Sequence, residues 1–164
     1  MCRSLFTSTI FSRNFCKFQF ILVNWQDIVF FPNIGCDIIN FTNISGDLSS
    51  PKPNNTILYP DNAECRWKIT ISDTNQHIQL SFKTFHLETC NKCACDFVEI
   101  FDVVGSQQNS LGRFCGTSLP GPFYSSKQSL LVVFKSDHGN GFPGFTASYS
   151  TVLPGAGLFH STFY

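Results

Sequence analysis

Charge is scarce in this chain. Its 164 residues include 11 Lys and Arg against 11 Asp and Glu, so the formal net charge is zero and charged residues make up only 13%. Gripping a nucleic-acid backbone needs a basic face, and no such excess is available; no nucleic-acid partner is expected. Long apolar runs are missing too. No stretch reaches the roughly 18 consecutive apolar residues of a membrane-spanning helix, so no transmembrane segment is expected. There is no convincing helical period, internal repeat or low-complexity tract. The sequence also lacks G-x-S-x-G, H-E-x-x-H and any Cys/His pair in a recognisable catalytic setting. The chain is not expected to be an enzyme. Glu88 and Asp96 suit a glycosidase pair in type, but paired acids suit a hard cation as well.

What is plentiful is aromatic and sulfur-bearing. There are 19 Phe and eight Cys, and aromatics reach 15%. Such a chain needs a packed interior and is not intrinsically disordered. The length suits one domain plus tails. The cysteine count favours an oxidising compartment or a bound metal over ordinary cytosolic use.

Three parts are expected. Residues 1–35 read as a leader or non-domain segment: Arg3, Arg13 and Lys17 are basic and "FQFILVNW" is apolar, but Gln19, Asn24, Gln26 and Asp27 interrupt the run. Residues 36–149 carry the patterning. Residues 150–164 form a Pro/Gly-containing tail without periodicity.

The middle part alternates. "CRWKITI" (65–71) places Cys65, Trp67, Ile69 and Ile71 on one face. "HIQLSFKTF" (77–85) does the same with Ile78, Leu80 and Phe82, "FVEIFDV" (97–103) with Val98 and Ile100, "SLLVVFKS" (129–136) with Leu130, Val132 and Phe134, and "GFTASYS" (144–150) with Phe145, Ala147 and Tyr149. A period of two with β-branched and aromatic residues means half-buried strands. Between them "SDTNQ", "VGSQQNS", "SLPGP" and "SDHGNGFPG" are turn-formers. Many short strands of this kind predict an all-β sandwich or barrel. Trp67 and Phe82 read as core.

The cysteines cluster in "CNKCAC", where Cys90, Cys93 and Cys95 stand close together. A zinc knuckle would use these three with Cys115 or His86, but structural zinc sites usually pair two short-spaced knuckles and only one is present. A redox C-x-x-C needs a helix after it, and none follows. Disulfides are the favoured reading.

"CRWKI", "LSFKTFHLE", "CACDFVEIFD", "LGRFCG" and "LLVVFKSDHGNGFPGFTASY", in that order, resemble a CUB domain over Cys36–Tyr149. The resemblance implies an antiparallel jelly-roll β-sandwich of two sheets. It also implies an extracellular, secreted protein-binding module, and disulfides Cys36–Cys65 and Cys93–Cys115. Cys90 and Cys95 are outside the family pattern; they pair with each other or link to Cys2, Cys16 or another chain. "SSPKPNNTILYP" is two residues longer than the family's S-P-N-Y-P and lacks its first Tyr, so the strand into Cys65 is expected to be shifted or bulged.

In the calcium-binding subset of CUB domains one Glu and two Asp meet at one end of the sandwich. The resemblance carries these onto Glu88, Asp96 and Asp137 and makes Tyr59 the tyrosine that buttresses the Glu; Asn140 and nearby backbone carbonyls are expected to add oxygens. Ca²⁺ takes six to eight oxygens, chiefly carboxylates and carbonyls. The expected function is a calcium-stabilised extracellular module that recognises basic side chains of a protein partner or receptor at the acidic loop end. The alternative is a calcium-independent carbohydrate- or glycoprotein-binding module of spermadhesin type. Glu99 and Asp102 are expected to face solvent or a neighbouring strand, and His86 to be structural. Asn40, Asn43 and Asn54 each begin an N-glycosylation acceptor triplet, crowded into fifteen residues.

Overall fold

The computed structural model describes Cys36, residues 38–53 and residues 56–155. The expected leader, with Cys2 and Cys16, lies outside the described residues, as do Asn54, His160 and the tail from residue 156. Among the described residues no helix is long and apolar enough to cross a membrane.

Nine strands are described: β1 (Ile39–Phe41), β2 (Ser45–Ser49), β3 (Glu64–Thr70), β4 (His77–His86), β5 (Phe97–Val104), β6 (Gln107–Phe114), β7 (Phe123–Tyr124), β8 (Ser129–Lys135) and β9 (Gly144–Val152). They build a five-stranded sheet, β1-β3-β8-β5-β6, and a four-stranded sheet, β2-β9-β4-β7. Every pairing is antiparallel except β1 with β3, which is parallel. The result is an all-β sandwich of the jelly-roll kind.

Alternation along each strand explains the core. Trp67, Ile69, Ile78, Leu80, Phe82, Val98, Ile100, Leu130, Val132, Phe134, Phe145, Ala147 and Tyr149 are all buried between the sheets. Phe145 sits among the rings of Trp67, Phe82, Phe85 and Phe134, with centroids 5.5 to 6.4 Å away. Edge-to-face and tilted contacts at this spacing add to the apolar burial. β8, central in its sheet, is buried on both faces.

Three expectations need correction. "VGSQQNS" is not all turn: the turn is at Gly105-Ser106, and Gln107–Ser110 begin β6. This edge strand is polar and exposed, so no apolar alternation marks it. β9 runs to Val152, so Ser150–Val152 belong to the sheet and not to the tail; they pair with His77–Gln79 of β4. The strand into Cys65 is neither shifted nor bulged. β3 pairs with β8 without interruption from Glu64↔Lys135 to Thr70↔Ser129. The irregularities lie instead in β4 between Phe82 and Thr84, and in β5 between Ile100 and Phe101.

On the outer face Glu64 joins β3 to β8. It accepts from Arg66 at 2.7 Å and lies 3.1 Å from the Lys135 Nζ. The Arg66 hydrogen bond first, and Lys135 after it, hold the Glu64 carboxyl below its usual 4.5. A depressed folded-state value stabilises above the unfolded pKa and is lost as pH falls through the folded one. With the Glu64 side chain 44% exposed, the contribution is modest. Glu64→Gln should cost no more than about 1 kcal/mol at neutral pH. The difference from wild type should fade below 4.5. Denaturant unfolding at neutral and acidic pH measures both.

Candidate metal centre

Three loops meet at one end of the sandwich. Pro51–Ala63 brings Tyr59. Residues 88–96, from the end of β4 to the start of β5, bring Glu88 and Asp96. Residues 136–143, between β8 and β9, bring Asp137 and Asn140.

The 88–96 loop is fixed by covalent bonds and backbone contacts. Cys90 is bonded to Cys95, and Cys93 to Cys115. Between them is a single helical turn, Asn91–Cys93, in which Lys92 and Cys93 take left-handed φ values of 55° and 49°. Non-glycine residues pay for that conformation, and the crosslinks hold it. Leu87 N–H donates to the Gly116 carbonyl, and Gly116 N–H to that of Glu88. The third bridge, Cys36–Cys65, ties the start of the domain to β3. All six of these sulfurs are thus in disulfides, which leaves none of them as a thiolate for the zinc or redox readings.

The 136–143 loop is laced to the Tyr59 loop. Ser136 Oγ donates to the Pro60 carbonyl at 2.7 Å and accepts from Ala63 N–H at 2.9 Å. Tyr59 N–H donates to the Phe142 carbonyl at 3.0 Å. Gly141 passes so close to the Tyr59 carbonyl that a Cβ there would collide with it, and Gly144, at φ +80°, has the same relation to the Ser50 hydroxyl. Only glycine fits such close approaches.

Asp96 lies at the bottom of the site with 0% exposure. Tyr59 Oη donates to its Oδ2 at 2.5 Å, and Asp137 N–H to its Oδ1 at 2.8 Å. Glu88 N–H donates in turn to Tyr59 Oη at 3.2 Å. The tyrosine therefore buttresses Asp96 directly and touches Glu88 only through its backbone. That differs from the expected role, because the phenol points into the sandwich where Asp96 is buried. Glu88 is half-buried and Asp137 exposed. Their carboxylates fall within 4.8 Å of each other and of Cys95 Sγ. Asn140 donates its amide to Glu88 Oε1 at 3.2 Å.

Burial pushes the Asp96 carboxyl above its usual 3.8, against the opposing pull of its two hydrogen bonds, and the charges of Asp137 and Glu88 add to the rise. Burial and the bond to Asp96 push the Tyr59 phenol far upward as well, so it stays a donor. Among the described residues, none of the ion pairs reaches Glu88, Asp96 or Asp137. Three acids, one of them fully buried, lacking a basic partner and offering oxygen alone, fit a hard divalent cation. Hydrogen bonding does not exhaust the Asp96 oxygens, since each keeps a second lone pair.

The other candidates fall elsewhere. Glu99 is held by Arg113 at 2.8 Å and Ser110 at 2.9 Å. Asp102 is not at the surface but buried, where it accepts from Ser126 N–H at 2.9 Å and Ser126 Oγ at 2.5 Å. The signal for this was present: Asp102 shares its parity with Val98 and Ile100. His86 ends β4 with its ring 5.2 Å from that of Phe142. Asn40 and Asn43 are exposed.

The profile of the CUB domain family matches residues 36–149. The chain belongs to that family. Cubilin of Sus scrofa is 43% identical over 104 residues, which are 62% of this chain and 3% of cubilin; the chain thus spans a small fraction of that relative. The full extracellular region of zebrafish Gpr126/Adgrg6 superposes with a TM-score of 0.60 at 28% identity, over 71% of this chain and 15% of that one. The MASP-1 CUB2 domain bound to Ca²⁺ superposes with a TM-score of 0.59 at 29% identity, over 70% of this chain and 99% of that one.

Tyr59→Phe tests the buttress. It strips a donor from buried Asp96 and an acceptor from Glu88 N–H, leaving the ring in place. The expected cost is about 1–3 kcal/mol, read as a lower midpoint of denaturant unfolding.

Proposed function

We propose that this domain is an extracellular protein-binding module, not an enzyme, whose acidic end is stabilised by calcium and receives a basic side chain of a partner protein. The observation that carries the reading is the fully buried Asp96, bonded to the Asp137 backbone and charged against Glu88 and Asp137, with no ion pair among the described residues to balance them. The likeness to a CUB domain bound to Ca²⁺ supports the metal, and the likeness to an extracellular region supports the location.

Glu88, Asp96 and Asp137 would hold the ion, with the Asn140 side-chain carbonyl as a further oxygen. Calcium bound there would supply the positive charge that lets the three carboxylates ionise together. The acids do the rest. Asp96 fixes the loops from below. Glu88 and Asp137, nearer solvent, keep lone pairs for a charge-assisted hydrogen bond from a lysine or arginine. Loops already in place spare the partner the entropy of ordering them.

Thermal unfolding with and without calcium is the test. At ~100 times its dissociation constant calcium should stabilise by about 2.7 kcal/mol, a rise of roughly 10 °C for a domain of this size. Asp137→Ala should abolish the rise. The variant should also bind a lysine-bearing peptide more weakly than wild type, and acetylating the peptide should remove the difference. A wild-type melting temperature indifferent to calcium would overturn the reading.

A further inference from the structure

The acidic end carries more than charge. The loop Pro51–Ala63 includes Thr56-Ile57-Leu58-Tyr59. Tyr59 is buried and bonded to Asp96, but the two residues before it turn outward: Ile57 is 76% exposed and Leu58 40%. Hydrogen bonds hold the bend in which they stand. Thr56 N–H donates to the Pro53 carbonyl at 3.0 Å, and Thr56 Oγ1 to the Leu58 carbonyl at 2.8 Å. Tyr59 N–H donates to the Phe142 carbonyl in the loop opposite.

Leu58 stands against the 136–143 loop. A Cβ on Gly141 would lie 3.6 Å from the Leu58 Cβ. Asn140, one residue earlier, donates to Glu88 Oε1 at 3.2 Å. On the other side of Tyr59, Asn62 N–H donates to the Asp137 carbonyl at 2.6 Å, and Asp61 beside it is exposed. Among the described residues no ion pair includes Asp61, Glu88 or Asp137. Single exposed aliphatic side chains are ordinary. Here two adjoin, in a bend fixed by hydrogen bonds, next to acids that lack a basic partner. The ligand complementary to such a surface is a cation with an apolar neighbour.

We propose that Ile57 and Leu58 form an apolar subsite beside the acids, and that the partner presents an extended segment in which a lysine or arginine and a large aliphatic residue stand two positions apart. The inference rests on the acidic-end reading above and adds the partner's second anchor. Gly141 and Asn140 lie between Leu58 and the Glu88 carboxylate, a separation of about 7 Å of chain. In an extended peptide alternate residues share a face, and two steps cover about 7 Å as well. The basic side chain then meets Glu88 and Asp137 while the aliphatic one lies on Leu58 and Ile57. A charge-assisted hydrogen bond to the acids accepts any lysine or arginine. Apolar surface removed from water on both sides adds affinity that depends on the neighbouring residue. Selectivity among basic partners therefore lies with the loop that departs from the family pattern, not with the acids that follow it.

The test is an NMR titration of the full chain, with calcium present, by glycine-flanked peptides carrying Lys-Ser-Leu or Leu-Ser-Lys, and by the same peptides with alanine for leucine. It is run in the wild type and in Asn54→Gln, so that no sugar on Asn54 masks the pair. The better leucine peptide should bind about tenfold more tightly than its alanine version, the worth of burying part of one aliphatic side chain. It should also shift the Ile57 and Leu58 methyl resonances. Ile57→Ser and Leu58→Ser should each erase most of that preference and leave the alanine peptides unchanged. Both variants should keep the calcium-dependent rise in melting temperature; Ile57→Ser, at the more exposed position, decides the matter if Leu58→Ser fails to fold. Leucine and alanine peptides that bind alike, both through their lysine, overturn the subsite and leave the acidic-end reading intact. A leucine preference that survives both serine variants does the same, as does the absence of any Ile57 or Leu58 shift at millimolar peptide. Binding indifferent to acetylation of the lysine overturns the acidic-end reading, and this inference with it.

Discussion

The Asp96 carboxylate joins what the backbone alone would leave apart. It precedes β5, it takes a proton donor from the Tyr59 loop, and it takes a backbone N–H from the loop after β8. Burying an anion is costly unless its oxygens are hydrogen-bonded. Two donors meet most of that demand and in doing so fix the position of both loops. The Tyr59 ring stands edge-on to Phe134, centroids 5.2 Å apart, so the polar junction rests on the core. What remains unbalanced is net charge, since Glu88 and Asp137 add to the penalty on Asp96. Under the proposed function a cation would relieve that repulsion, and a ligand stabilises by as much as it prefers the arrangement it binds.

The two faces of the five-stranded sheet solve different problems with the same strands. Inward, alternation delivers Trp67, Ile100, Val132 and Phe134 to the other sheet. Outward, there is no second sheet among the described residues, and β8 still presents Leu131 and Val133. Arg66 stands beside Val133 in register and Arg113 lies over the Phe97 ring, each tied down by a glutamate. An arginine held flat in this way works as apolar cover as much as charge.

The strands that build the core were legible because burial on one face writes a period of two into the sequence. β3, β4, β5, β8 and β9 all show it. β1, β2, β6 and β7 were not read, for two reasons. Three are too short to show a period, and β6, "QQNSLGRF", is an edge with little apolar face to display. Pattern reading likewise cannot see a ladder such as β1 on β3, which depends on a contact between distant segments. At the acidic end Glu88, Asp96, Asp137, Asn140 and Tyr59 were singled out through the family's motifs; in the structure Tyr59 and the Asp137 backbone bond Asp96 and Asn140 bonds Glu88, while the group of ligand atoms within 4.8 Å holds Glu88 and Asp137 without Asp96. Their division of labour was not legible. Spacing does not tell that Asp96 lies buried under the other two acids, or that Tyr59 turns its hydroxyl to the aspartate. Asp102 was misjudged because charge was weighed above parity.

The loop that carries Glu88 and Asp96 is unlike its neighbours in how it is held. Its two acids flank a segment closed by Cys90–Cys95 and anchored to the strand-end at Cys115 by Cys93. Crosslinks of this kind act largely by removing freedom from the unfolded chain, and they do so with or without a cation. The 136–143 loop has only hydrogen bonds, with Asp137 and Asn140 at the surface. Half of the site is therefore held by covalent crosslinks, and half by hydrogen bonds alone. A cation gathering all three carboxylates, as proposed above, would bear chiefly on the Asp137 side. Because Asp137 N–H is bonded to Asp96, and Asp96 to Tyr59, such an effect would reach the buried carboxylate and the phenol beyond it.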